Sequence, residues 1–326
     1  MRKNYKIIVT DSIHPDAILR LSQEGFEVTE LPEEKKGQLL ELIEPYHAII
    51  CRTSTILDAA TLARATNLSC IALASTGFDR IDIDEATKRN ISVLGLPSHN
   101  KEIEPERDGN FVSTAEHAIL LMLAALGDFY HANQSMKEGR WEKKFLVGHE
   151  LANKTVGLLG FGRIAGLVAH RLVGFRVRLM AYDKFVSQEK AHEYGVKLVP
   201  LDELCRQSDI ISIHMPKTSD TAGMIGAREF ALMKDGVFIV NTARAAIMDE
   251  NALIAALKSG KVCRAALDVF HDEPRGLNWN LVRMPNVIAT PHIGGSTHEA
   301  WRRISLSAAD NVISFFNGNV RNKINI

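Results

Sequence analysis

Cysteine is scarce and badly placed for pairing: Cys51, Cys70, Cys205 and Cys263 are scattered, with no Cys-x-x-Cys. That excludes a zinc motif or disulfide framework and reads as reduced core thiols in a cytoplasmic protein. Net charge is missing too. Lys+Arg and Asp+Glu both number 39, so no basic field recruits nucleic acid or an anionic membrane. No apolar run reaches the roughly 18 residues of a membrane helix. The opening MRKNYKIIVT lacks the apolar centre of a signal peptide and reads as a short strand. Repeats and low-complexity tracts are absent. What remains is 326 residues with 46% apolar content, enough for about two globular domains.

The most informative stretch is VGLLGFGRIAG, residues 156–166, followed by LMAYD at 179–183. Val156 to Leu159 reads as a buried parallel strand. Gly160-Phe161-Gly162 makes a tight turn, and Arg163-Ile164-Ala165 opens a helix. The first glycine lets the turn form and the second lets a pyrophosphate approach bare backbone, with the helix N-terminal amides facing its charge. Ala165 takes the third position of G-x-G-x-x-G, where only close helix–strand packing is required. The next apolar run, Val177 to Tyr182, delivers Asp183 at a strand end, 21 residues after Gly162. Dinucleotide folds place there the carboxylate that binds the adenosine ribose hydroxyls. Glycines alone mark ordinary turns; strand, turn, helix, strand and acid in this order point to a dinucleotide.

Before this unit, Ile7–Val9, Ala48–Ile50 and Ile71–Leu73 read as parallel strands, with helices expected near 15–24, 37–44 and 57–65. The strands end in Thr10-Asp11, Arg52-Thr53-Ser54 and Ser75-Thr76-Gly77. Ligands of open parallel sheets bind at such carboxyl ends, although turn chemistry alone accounts for the same residues. SHNKEIEPERDGN, 98–110, reads as an exposed loop or hinge. A helix is expected over 113–126, capped by Ser113 or Thr114 and apolar almost all round past Ala118. Strands continue at 197–199, 210–213, 237–240, 265–267 and 287–289, giving a doubly wound sheet. A long amphipathic helix over 300–316 is expected to pack back onto the first domain.

Three of the last strands run into unusual residues: Thr242-Ala243-Arg244, then Asp268 with Glu273 beyond it, then Pro291-His292 with Gly294-Gly295. Adjacent parallel strands bring these groups to one edge. Arginine can clamp a carboxylate, histidine can pass a proton near neutrality, and a neighbouring glutamate orients the imidazole and favours its charged form. Singly, each has a plainer reading as a surface ion pair, a satisfied structural histidine or a turn residue.

The segments GFGRI, AYD, HMPKT (214–218), VNTARAAIMDE (240–250), AALDVFHDEP (265–274) and TPHIGGST (290–297) together resemble the D-isomer-specific 2-hydroxyacid dehydrogenase family. STGFDRIDIDEA (75–86) and STAEHAILLMLAAL extend the resemblance over nearly the whole chain, and TPHIGGST is most similar to the phosphoglycerate dehydrogenase-like branch. The resemblance implies two α/β domains with parallel, doubly wound sheets and the active site in the cleft between them. A Rossmann NAD-binding domain, 111–296, is inserted into a flavodoxin-like substrate-binding domain, 1–110 and 297–326. It implies NAD as cofactor, a homodimer, and Arg244, Glu273 and His292 as catalytic residues. Cofactor contacts fall on Thr76, Gly160, Gly162, Arg163, Ile164, Asp183, Met215, Thr242, Ala243, Arg244, Asp268, His292, Gly294 and Gly295. Asp268 holds the nicotinamide carboxamide in this reading. Substrate contacts fall on Ser75, Thr76, Gly77, Arg244 and His292. No metal is expected, because arginine and histidine supply the electrophilic help.

Some details depart from the family pattern. Its Arg-Gly becomes Arg244-Ala245, the loop at 98–110 is longer by several residues, and the chain reaches only Ile326, so a C-terminal regulatory domain and serine feedback are not expected. The expected reaction is hydride exchange between a D-2-hydroxy acid and its 2-keto acid, without nucleic-acid or membrane partners. Arg52 is the candidate for a substrate phosphate, as in 3-phosphoglycerate; an ion pair within its own domain is the alternative. A glyoxylate or hydroxypyruvate reductase activity, or a non-catalytic NAD(H)-sensing protein of corepressor type, remain as other readings.

Overall fold

A computed structural model describes residues 5–97, 111–273 and 276–325. The chain divides into two compact units, Met1–Asn110 with Ser296–Ile326, and Phe111–Gly295. The expected loop at 98–110 lies outside the described residues. Among the described residues, no single helix is long and apolar enough to cross a membrane.

The first unit is built on a five-stranded parallel sheet. Its strands are β1 (Lys6–Val9), β2 (Glu27–Glu30), β3 (Ala48–Cys51), β4 (Cys70–Leu73) and β5 (Ser92–Leu94), in the order β2-β1-β3-β4-β5. Strands β3 and β4 are buried throughout, as strands covered on both faces must be. β2 (EVTE) escapes sequence reading because it is an edge strand with charged ends, and β5 because it is only three residues long. The helix His298–Phe316 belongs to this unit: Ile304, Ala308, Ala309 and Val312 pack with Ile7, Ile50 and Ala72 on one sheet face. The opposite face is closed by Leu39, Ile43, Leu57 and Leu62 against Ile49 and Ile71. The order reverses between β1 and β3, which brings the ends of those two strands together.

The second unit holds seven parallel strands: β6 (Thr155–Leu159), β7 (Arg178–Tyr182), β8 (Val196–Leu198), β9 (Ile210–Ile213), β10 (Val237–Asn241), β11 (Val262–Leu267) and β12 (Val287–Ala289). Their order is β12-β11-β10-β9-β6-β7-β8, with the reversal between β6 and β9. Because every pair is parallel, all seven carboxyl ends lie along one edge. The helix expected from 113 begins at Phe111 and runs to Leu126. Ser113 and Thr114 are therefore buried inside its first turn and are not caps. In the single chain Leu120 and Leu123 of this helix are exposed.

Candidate active site

The glycine loop is shaped by two different demands. Gly160 has φ of +90°, and a Cβ there would lie 2.9 Å from Met215 Cβ and 3.0 Å from the backbone of His214 and Met215. The fold itself requires glycine at this point, where the end of β6 meets the end of β9. Gly162 is different: its φ is −85° and a Cβ would meet nothing within 4 Å. It is exposed and stands as N-cap of the helix Arg163–Leu172 without any side-chain cap. The first bond of that helix is donated by Gly166 N–H to the Gly162 carbonyl, so the amides of Ile164 and Ala165 have no acceptor within the helix and suit an anion. Ala165 is fully buried, as close helix–sheet packing demands.

Asp183 follows β7 and ties the two loops together. Its Oδ2 accepts from Phe161 N–H at 2.8 Å, and its Oδ1 accepts from Phe185 and Val186 N–H at 2.8 and 3.3 Å. Lys184 turns to Asp220, with Nζ 3.5 Å from the carboxylate. Arg163 lies over the Phe111 ring at 3.9 Å, Ile164 is half-buried and Met215 is buried. Thr242 carries a buried hydroxyl with no hydrogen-bond partner among the described residues. Such an orphan costs about 1–3 kcal/mol unless something meets it. With the open backbone at Gly162, it makes these residues fit a dinucleotide.

His214, at the end of β9, was not singled out from the sequence. Its Nε2 meets Ser212 Oγ at 2.8 Å, while its Nδ1 is buried without a partner among the described residues. Burial pushes the imidazole down to about 4 from an ordinary 6.5. The folded protein thus binds this proton less readily than the unfolded chain. The stabilisation is complete above the unfolded value of 6.5 and is lost as pH falls towards 4. Between pH 7 and 5 the unfolding free energy is expected to drop by about 1–2 kcal/mol more in the native protein than in His214→Gln. Denaturant titrations at the two pH values check this, and equal losses would refute it.

The residues after β10, β11 and β12 meet along the same edge. Asn241, fully buried and missed in the sequence, clamps the turn that carries Arg244: its Oδ1 accepts from Ala243 N–H at 3.0 Å and its Nδ2 donates to the Arg244 carbonyl at 3.0 Å. The Arg244 guanidinium also donates to the Ala243 carbonyl at 2.7 Å. A turn-forming asparagine at a strand end was the available signal. Ala245 begins a short 3-10 turn, Ala245–Ile247.

His292 and Glu273 are in direct contact, His292 Nδ1 against Glu273 Oε1. Glu273 Oε2 accepts from Phe270 N–H at 3.0 Å. Burial pushes the Glu273 carboxyl up, but the His292 hydrogen bond and charge, the Phe270 amide and Arg244 outweigh it and hold it below the usual carboxylate value. His292 itself has φ of +53°, a left-handed conformation that costs a non-glycine residue on the order of 1 kcal/mol. Asp268 holds this loop in place. Its Oδ1 accepts from Thr290 Oγ1 at 2.6 Å and Ile293 N–H at 2.9 Å, and its Oδ2 accepts from Gly294 N–H at 2.8 Å. The carboxylate is 1% exposed. Both of its oxygens thus accept from the 290–294 segment. Gly294 is buried against it and Gly295 is half-buried. Pro274 lies outside the described residues.

In the first unit, Asp11 organises the ends of β1 and β3. Its carboxylate accepts from Lys36 Nζ at 2.9 Å, Arg52 N–H at 2.6 Å, Thr55 Oγ1 at 2.8 Å, and from the Ser54 hydroxyl. Burial raises its pKa, and these donors more than reverse the shift, leaving it lowered. The Arg52 guanidinium makes no hydrogen bond or ion pair among the described residues, and burial pulls its pKa down. Ser75 donates to the Gly77 carbonyl at 2.9 Å, with Thr76 exposed between them.

Residues 119–294 match the family model described as the NAD-binding domain of D-isomer-specific 2-hydroxyacid dehydrogenases. A D-3-phosphoglycerate dehydrogenase of Archaeoglobus fulgidus is 42% identical over 98% of this chain and 59% of its own length. The chain thus spans about six-tenths of such longer relatives. A hydroxypyruvate reductase of Thermotoga maritima is 39% identical over 94% of this chain and 97% of its own. The crystal structure of a glyoxylate reductase from Paecilomyes thermophila superposes with a TM-score of 0.87 at 30% identity, covering 99% of both chains. The chain belongs to the D-isomer-specific 2-hydroxyacid dehydrogenase family.

Proposed function

We propose that the protein is an NAD-dependent dehydrogenase that interconverts a D-2-hydroxy acid and its 2-keto acid. The observation that carries this reading is the His292–Glu273 pair at the strand edge that also bears Arg244 and the glycine loop. The first amides of the helix Arg163–Leu172, the Gly160 turn, Asp183, Met215, Thr242, Ala243 and the loop from His292 to Gly295 would hold the dinucleotide. Bound NADH supplies a hydride. Arg244 clamps the substrate carboxylate and draws electron density from the adjacent carbonyl. His292 gives its proton to the oxygen as the carbonyl is reduced, and Glu273 keeps the imidazolium oriented. In the reverse direction the neutral imidazole takes the hydroxyl proton. Turnover measured with NADH, and separately with NADPH, across a panel of 2-keto acids tests the reading. No turnover with any of them would sink it, and a preference for NADPH would remove Asp183 from the ribose site.

For the substrate, the Arg52 guanidinium, which has no partner among the described residues, and the name of the Archaeoglobus fulgidus relative support a phosphorylated acid such as 3-phosphoglycerate. Ser75, Thr76 and Gly77 are the accompanying contacts. Arg52→Ala is then expected to cost on the order of 1.5–3 kcal/mol in kcat/KM for a phosphorylated substrate, the range of charged hydrogen bonds, and much less for hydroxypyruvate. An equal loss for the two returns Arg52 to a structural role and favours an unphosphorylated acid, in line with the name of the Thermotoga maritima relative.

The homodimer reading is supported by exposed Leu120, Phe129, Tyr130, Trp141, Phe145 and Val147 on one stretch of the second unit; light scattering reads the assembly directly. A cytoplasmic location is supported by four free cysteines.

A further inference from the structure

Beneath the loop that carries His292 lies a hydrogen-bonded cluster whose third member, His117, comes from the helix Phe111–Leu126. Its Nε2 stands 3.1 Å from Thr290 Oγ1 and 3.3 Å from Asp268 Oδ1. The protons in this cluster can be assigned. A carboxylate only accepts, and Thr290 has one hydroxyl proton, which it gives to Asp268. Both neighbours of His117 Nε2 are therefore acceptors towards it, so the proton sits on Nε2 and is shared between them. The His117 side chain is 9% exposed and that of Asp268 is 1% exposed, which leaves little room for water to replace this donor.

The loop is pressed closely onto the pair. A Cβ on Gly294 would lie 3.1 Å from Asp268 Oδ2 and 3.7 Å from His117 Cδ2. Asp268 in turn holds the amides of Ile293 and Gly294, directly after the left-handed His292. We propose that His117 is a positioning residue for His292: its Nε2–H completes the set of donors around Asp268 and Thr290, and so fixes the loop that holds His292 against Glu273. This rests on the reading of His292 as the proton-transferring group.

The test compares three full-length proteins: native, His117→Leu and His117→Gln. Leucine removes the donor, whereas the glutamine amide offers an N–H near the Nε2 position. His117→Leu is expected to lower kcat on the order of 10- to 10²-fold, the scale of a misplaced catalytic group, with KM for NADH and the keto acid little changed. His117→Gln should recover most of the loss. Hydrogen exchange at the amides of Ile293 and Gly294 should be faster in His117→Leu and native-like in His117→Gln. If His117→Leu does not fold, His117→Asn carries the same comparison, because its amide is too short to reach Thr290. Native exchange rates in the donor-lacking variant, or equal impairment of the leucine and glutamine variants, would overturn the proposal. Should the native protein reduce no keto acid, the reading of the function fails, while the exchange rates still decide what His117 does.

Discussion

His292→Ala is expected to lower turnover in the direction of keto-acid reduction by at least ~10²-fold, the low end of what a positioned general acid contributes. With the substrate carboxylate anchored by Arg244 as proposed, KM should move much less than kcat. Glu273→Gln keeps a hydrogen-bonding group of the same shape but removes the charge that faces the imidazole. Its expected cost is about 10-fold or more in kcat, from the 1.5–3 kcal/mol of a charged hydrogen bond. The pH dependence has a definite sign. Glu273 is held below the usual carboxylate value, so its support is fully present above that range and is lost as pH falls through the lowered pKa. Steady-state kinetics of both variants from pH 4 upwards check this. A His292→Ala protein with near-native kcat would remove the residue from the chemistry.

The gathering of the proposed catalytic groups was legible because parallel topology turns sequence order into spatial order. Once β10, β11 and β12 are recognised as neighbours, Arg244, Asp268 and His292 must share an edge. What holds them was not legible. Asn241 reads as the polar end of a strand, and only its two bonds across the turn reveal a clamp. His117 sits in an apolar helix more than 150 residues before its partners, and no local periodicity announces a contact with Thr290. Asp268 illustrates the same limit: the resemblance gave its position, whereas its engagement with the 290–294 amides is a tertiary fact. The misplaced helix cap has a simpler cause. Ser113 and Thr114 have the chemistry of caps, but the helix continues back to Phe111 and buries them. Strand β2 was lost because an edge strand needs only one apolar face and carries charge to discourage further pairing.

The two glycines of the phosphate loop should fail in opposite ways when replaced. Gly160→Ala places a methyl group against backbone atoms at 3.0 Å, and does so at φ of +90°. Backbone cannot retreat as a flexible side-chain tip can. The left-handed strain of roughly 1–2 kcal/mol and overpacking of about 1–3 kcal/mol add to an expected stability loss of about 2–5 kcal/mol. Gly162→Asp meets no such obstacle, since a Cβ there touches nothing within 4 Å and the backbone angles suit any residue. Aspartate is also a better helix N-cap than glycine, so the melting temperature should hold or rise. Its charge, however, would stand where the pyrophosphate must come, and juxtaposed like charges cost several kcal/mol. NADH affinity is therefore expected to fall by at least ~10²-fold in Gly162→Asp, equivalent to about 2.7 kcal/mol. Thermal unfolding and calorimetric titration with NADH separate the two effects. The argument fails if Gly162→Asp binds NADH like the native protein, or if Gly160→Ala unfolds no earlier than native; glycine at 160 would then answer to the ligand rather than to the fold.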